Sequence, residues 1–334
     1  MNARRPRLPF LRVALWLALP VALAWALKGV RLADVGATLG RLGAGPIAVL
    51  AVVNLGVVAA FAGRWWALLA ADGYRVPYGE LTLYRLAAFA ISYFTPGTQF
   101  GGEPLQAYLL QRRHAVPLPT AAASVILDRV LEMTFNFAFL AIGMVVVLRL
   151  GVYPPGTGLL LAAAAVVLLL APVFYFAAVR FGRRPGSWLL GHAPSVLAGR
   201  PWMVRLRGFV VTAEDEVHRL TRDRPLGIVA GLAASVLSWA AVLAEWWLAT
   251  AYLGFPLSAA YLIAVVTATR VAFLVPVPGA LGALEASLVL ALTALGYRAE
   301  QALALALLIR VRDVAFGALG LWIGGALAGA PNGR

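Results

Sequence analysis

The chain has 334 residues, of which 62% are hydrophobic and 13% charged, with no cysteine and a mean hydropathy of +0.86. A soluble domain is about 45–50% apolar and about 25% charged, so this composition excludes a soluble enzyme, a disordered tail and a disulfide scaffold. The formal charge of +14, with Lys28 the only lysine among 28 basic residues, fits the arginine-rich cytoplasmic loops of an inner-membrane protein and argues against nucleic-acid binding. What is left is an all-α polytopic membrane protein, since the apolar residues run continuously where a β-barrel would alternate them.

Taken in chain order, apolar runs long enough to span, about 20 residues each, fall at residues 11–27, 46–71, 121–148, 158–179, 226–253 and 302–327. The first follows Arg4, Arg5 and Arg7 and also has the shape of a signal peptide, with Ala24-Trp25-Ala26 at the cleavage position. An uncleaved helix is the preferred reading. Residues 80–94 and 258–275 behave differently: each runs into a Pro-Gly turn and resumes as another short helix. Each reads as a broken or re-entrant helix pair, which membrane depth tolerates only where protein or a watery cavity surrounds it.

Arginine placement sets the orientation. Arg75, Arg112, Arg113 and the basic segment between Arg180 and Arg224 share one side with the N-terminal arginines, and Lys28, Arg31, Arg41, Arg149 and Arg298 share the other. The first side is the cytoplasmic one. Within residues 183–224, Leu206, Phe209, Val210, Ala213, Val217 and Leu220 recur at helical spacing, separated by Arg205, Arg207, Glu214, Asp215, Glu216 and Arg219. That is an amphipathic helix for the membrane surface, with Trp202 as its anchor.

Two stretches read alike. Arg64-Trp65-Trp66 leads to Gly73, Pro96-Gly97, Gly101-Gly102 and Glu103, and Glu245-Trp246-Trp247 leads to Gly254, Pro278-Gly279, Gly282 and Glu285. In each, Gly stands eight residues after the first Trp and Glu seven residues after the Pro, and a charged cluster begins 25 residues beyond the Glu, at Asp128 and at Arg310. Between corresponding points the chain makes an odd number of simple crossings, so the two repeats have opposite orientations. The expected organisation is one membrane domain over residues 1–334, with a first repeat at 45–150, the amphipathic linker at 183–224 and an inverted second repeat at 226–328. Inverted repeats with broken helices are a transporter architecture, with substrate held at the repeat interface.

An ionisable residue at the bilayer centre costs about 2.5–3.5 kcal/mol unless paired or hydrated. Asp128, Arg129, Glu132, Glu245, Arg310, Arg312 and Asp313 therefore pair with one another or line a polar cavity. Asp128 and Glu132, four apart, share one helical face. Arg64, Arg85 and Glu300 stand nearer span ends, where snorkelling is expected. Glu103 and Glu285 follow glycine turns at the start of short helices, with Pro104 suited to a first helical turn. A carboxylate there caps the helix, while free amides and arginines nearby suit an anionic phosphate. Arg129, Arg270 and Arg310 are the candidate phosphate partners. Enzyme signatures are poor: the three histidines (His114, His192 and His218) stand apart from the acids, and neither a metal-ligand spacing, a nucleophile elbow nor a P-loop is present. No cofactor is expected.

From Ser92-Tyr93-Phe94-Thr95-Pro96-Gly97 through Gly101-Gly102-Glu103, with Asp128-Arg129 downstream and Pro276-Val277-Pro278-Gly279 through Glu285 near the C-terminus, the chain resembles the lysylphosphatidylglycerol synthase transmembrane, or flippase-like, family. The resemblance covers roughly residues 10–327. Bifunctional members carry a soluble domain that transfers lysine to phosphatidylglycerol. That domain is expected to be lacking here, so the resemblance implies the lipid-translocating part alone, with phospholipid, hopanoid or polyprenol-linked lipid as the cargo. The expectation is a non-enzymatic lipid flippase or scramblase of a bacterial or archaeal cytoplasmic membrane. An ion-coupled small-molecule transporter, or a membrane partner or enzyme of envelope-lipid synthesis, is the alternative.

Overall fold

A computed structural model describes residues 32–94, 101–152, 156–192, 200–275 and 277–329, and all regular structure within them is helical. The expected span at residues 11–27 and the turn at Pro96 and Gly97 lie outside these residues. In chain order the helices are α1 (Leu32–Leu39), α2 (Ala44–Ala71), α3 (Tyr78–Phe94), α4 (Glu103–His114), α5 (Leu118–Leu150) and α6 (Gly158–Arg180). They continue as α7 (Pro185–Gly191), α8 (Pro201–Asp223), α9 (Pro225–Tyr252), α10 (Ala259–Ala272), α11 (Ala283–Ala294) and α12 (Ala299–Gly329), with a 3-10 turn at Pro278–Ala280.

Four of these, α2, α5, α6 and α9, are long and apolar enough to cross a membrane. They match four of the apolar runs. The run at residues 302–327 lies inside α12, whose 31 residues are long enough but carry Arg310, Arg312 and Asp313 at mid-length. By contrast α3, α4, α10 and α11 have 17, 12, 14 and 12 residues. At 1.5 Å per residue each rises no more than about 26 Å, short of a hydrocarbon core about 30 Å thick.

The surface is apolar where a soluble protein would be polar. Val52, Leu160 and Phe174 are 68%, 71% and 65% exposed, whereas Arg64 is wholly buried and Asp128 4% exposed. Lipid as solvent accounts for both, because it accepts aliphatic side chains and repels charge, which turns inward to find partners.

The two halves carry the same order of elements. A 28-residue helix (α2 or α9) comes first, then a shorter helix (α3 or α10), a break, a 12-residue helix (α4 or α11) and a helix of 33 or 31 residues (α5 or α12). Both 28-residue helices stop the same way. Gly73 and Gly254 take φ of +92° and +84°, and the next residue's N–H reaches back to Leu69 O and Thr250 O at 3.0 Å. This is the left-handed glycine cap that closes a helix by satisfying its last carbonyls. The packing repeats as well: α2 lies along α9, α3 against α12, and α10 against α5. Exchanging the quartets α2–α5 and α9–α12 leaves those three contacts unchanged.

Helix α8 packs on α5, α6 and α7. It buries Ala213, Val217 and Leu220 as the periodicity predicts, while Leu206 is exposed. Glu214, placed on the polar face by sequence, is instead buried, because it accepts hydrogen bonds from Gly186 N–H and Ser187 N–H at 2.6 and 3.0 Å and so caps α7. Arg219 ties α8 to the end of α2 through two hydrogen bonds to Asp72, at 2.8 and 3.0 Å. Those bonds hold its guanidinium above the ordinary arginine range.

Candidate functional site

Between the quartets lies a cavity of about 240 Å³, bounded by residues of α2, α3, α4 and α5 on one side and of α9, α10 and α12 on the other. Its charged lining comprises Arg85, Glu103, Asp128, Arg129 and Glu132 from the first quartet and Glu245, Arg270, Arg312 and Asp313 from the second.

In the first quartet the i,i+4 spacing of α5 aims Asp128 and Glu132 at α2 and α3. Arg64 Nε lies 2.6 Å from Asp128 Oδ1 and Arg64 Nη2 2.8 Å from Glu132 Oε2. Arg85 reaches Asp128 Oδ2 and Glu132 Oε2, each at 2.7 Å. Two carboxylates thus share two guanidiniums, which sit 5.8 and 5.6 Å from the Phe61 ring. Snorkelling, expected of Arg64 and Arg85, does not occur. Both turn inward because α5 presents two acids at their height, and a paired charge in a protein interior costs less than one drawn through lipid.

In the second quartet the polarity is exchanged. The acid, Glu245, is on the first helix and the cation, Arg312, on the last, and Arg312 also holds Asp313 at 2.7 Å. Arg64 and Glu245 precede the two Trp-Trp pairs, so the sequence carried this exchange in plain view. The partner of each was not legible, since it lies 64 or 67 residues away.

The breaks follow a common plan. Glu285 Oε2 accepts from Gly282 N–H at 2.9 Å and so caps its short helix, while Glu103 Oε2 accepts at 2.7 Å from Gly101 N–H, just before its helix begins. Each also meets an arginine of the long helix that follows, Arg129 at 3.2 Å and Arg310 at 2.7 Å. Capping and arginine pairing, set side by side from sequence, occur together at Glu285. Arg129 further binds Glu132 at 3.1 Å. Arg310 donates to Tyr93 Oη at 2.8 Å and to Gly279 O at 2.6 Å, joining the second break to α3 of the first quartet.

Glycine is required at both breaks by close approach. A Cβ on Gly102 would lie 2.2 Å from Ala88 O, and one on Gly279, whose φ is +54°, 2.8 Å from the Tyr93 ring. Gly102 N–H donates to Ser92 Oγ at 3.0 Å, holding the start of α4 against α3.

Of the three arginines proposed as phosphate partners, Arg129 and Arg310 are therefore engaged with carboxylates. Arg270 is not: its guanidinium stacks over Trp239 at 4.9 Å and, among the described residues, pairs with no carboxylate. Trp239 escaped sequence reasoning because one tryptophan in an apolar helix has no distinguishing pattern. Among the described residues no group of three or more His, Cys, Asp or Glu is placed to hold a metal ion.

Over residues 10–320 the chain matches the family described as lysylphosphatidylglycerol synthase TM region. It belongs to that family. The chain is also similar to a UPF0104 membrane protein of Methanothermobacter thermautotrophicus strain Delta H, with 26% identity over 253 residues, covering 72% of this chain and 74% of the relative. The match takes in the first quartet, α8, the second quartet as far as residue 320 in α12, and every charged residue of the cavity.

Proposed function

We propose that this chain moves a polar-headgroup lipid across the cytoplasmic membrane as a flippase or scramblase, with no chemical step. The observation that carries the reading is a charged cavity set between two like-ordered helix quartets, inside a protein whose outer surface is apolar. Membership of a family named for a lipid synthase's membrane region supports it. A cavity of about 240 Å³ accommodates a headgroup, while two acyl chains would overfill it and must stay in the bilayer.

We read the quartets as inverted repeats, and the short pairs α3–α4 and α10–α11 as broken, re-entrant helices. Two-fold exchange of the packing pattern supports this, as does the odd number of crossings between the halves. A repeat interface near mid-membrane is where such proteins hold cargo. The lipid is a phospholipid, hopanoid or polyprenol-linked lipid with an anionic or polar headgroup, and Arg270, which pairs with no carboxylate among the described residues, is its first contact. Glu103, Glu285 and the arginines that hold them keep the breaks in place until the headgroup passes.

The test uses liposomes containing purified protein and trace fluorescent anionic phospholipid. Label in the inner leaflet should become accessible to an external quencher without ATP, and Arg270→Gln should slow this at least tenfold for anionic lipid and less for zwitterionic lipid. The cavity's modest volume also suits a small anionic solute. Tight binding of such a solute, with no movement of any phospholipid, would replace the lipid reading with a small-molecule transporter.

A further inference from the structure

Lipid offers a polar side chain nothing to bond, so one buried in the bundle either finds a partner or is served by what enters from outside. Asn54 is the one polar side chain between Ala44 and Gly63 of α2, and it lines the cavity at 8% exposed. Its Nδ2 donates to Leu50 O at 2.8 Å, which leaves Oδ1 with no donor among the described residues. Gln106 is 7% exposed and lines the same cavity from α4, three residues after Glu103 and on the same helical face. Among the described residues its side-chain amide has no hydrogen-bond partner at all. By contrast the buried Thr250, Thr267 and Thr269 each donate to a carbonyl of their own helix.

We propose that Gln106 and Asn54 form a hydroxyl-recognising subsite of the cavity, so that the headgroup it takes is a phosphate bearing a polyol or a sugar. This rests on the translocation reading and narrows its cargo. Gln106 presents both donors and an acceptor, and Asn54 Oδ1 adds a second acceptor. A hydroxyl accepts and donates through one atom, so neighbouring hydroxyls serve both side chains. Other headgroup chemistries serve them in part. An ammonium only donates and leaves the Gln106 N–H groups unserved, a trimethylammonium does neither, and a bare phosphate only accepts. Charge and hydroxyl recognition come from different quartets: Arg270 on α10 takes the phosphate, while α2 and α4 supply the amides. A ligand of the right charge and size without hydroxyls would leave a buried amide unpaired, which is how a site of this kind rejects an analogue.

The experiment titrates the full chain, purified in detergent, with two lipids of equal charge. One is dihexanoyl-phosphatidylglycerol, and the other dihexanoyl-phosphatidylpropanol, whose headgroup has the same three carbons and no hydroxyl. The first should bind about tenfold more tightly, the effect of leaving a buried amide unpaired. Gln106→Met keeps the length of the side chain and removes the amide. It should bind both lipids equally, with a melting temperature unchanged or raised, whereas an amide with a merely structural role would lower the melting temperature and keep the preference. Asn54→Leu should weaken the preference in the same direction, and it carries the test should the first variant fail to fold. Equal affinity of the unaltered protein for the two lipids overturns the subsite, as does a preference that survives Gln106→Met. Failure of both dihexanoyl-phosphatidylglycerol and dihexanoyl-phosphatidylinositol to bind overturns it too. Lipid movement is read separately in liposomes: equal affinity with both anionic lipids moving leaves translocation standing. Glycerophosphoglycerol, the deacylated headgroup, distinguishes a soluble source of the same chemistry. If it binds with the same dependence on Gln106 while no lipid moves, the subsite stands and the lipid reading fails.

Discussion

Asp128 receives hydrogen bonds from Arg64 and Arg85 while being almost wholly buried, and the geometry is that of a structural tie between α2, α3 and α5. Removing one partner of a buried ion pair leaves the other uncompensated, which costs about 3–5 kcal/mol. Asp128→Asn leaves two guanidiniums facing Glu132 alone, so a clear drop in the melting temperature of the detergent-solubilised protein is expected. Glu103 and Glu285 differ, being 25% and 17% exposed at the side chain and each held by one arginine of the following long helix. The double change Glu103→Gln and Glu285→Gln keeps the shape and the oxygen that accepts from the glycine N–H. It should slow lipid movement several-fold while shifting the melting temperature by less than Asp128→Asn does. Equal loss of melting temperature in the two variants, in step with transport, would make both glutamates purely structural.

At the level of elements, the feature that matters is a helix that stops short. α3 and α10 are too short to cross hydrocarbon with ease, and the chain turns at a glycine pressed on a neighbour before α4 and α11 resume. The Pro-Gly pairs marked both interruptions in the sequence, because proline removes a donor and glycine admits the turn. What they could not mark is contact between elements: Arg310 touches Tyr93, 217 residues earlier. If the quartets are inverted repeats, the two turns open to opposite sides. The chain has no cysteine, so single cysteines at Thr98 and Ala280 can be labelled without background. Impermeant reagent should reach Thr98 from the cytoplasm, and Ala280, which is buried here, from outside and faster as lipid is supplied. Labelling of both from one side would remove the inverted repeat.

On the scale of the whole molecule, the protein is apolar outside and charged within, joined by three helix contacts that survive exchange of its halves. The membrane class, four of the spans and the two like-ordered halves were legible in the sequence. They depend on local quantities, namely the length of an apolar run, the spacing of Trp, Gly, Pro and Glu, and the cost of charge in lipid. So too was the need for the buried charges to pair, since lipid offers them nothing.

Which charges pair was a matter for the tertiary structure alone. Sequence put Arg64 and Arg85 at span ends and grouped Arg129, Arg270 and Arg310 as equals. Folding brought the first two onto Asp128 and Glu132, engaged Arg129 with Glu103 and Arg310 with Glu285, and left Arg270 over Trp239. The physical reason is that an ion pair is a contact of a few ångströms between residues tens or hundreds of positions apart. Hydropathy and spacing report the cost of an isolated charge, and only the packing of α2, α3, α5, α9, α10 and α12 decides which partner lies within reach to offset it.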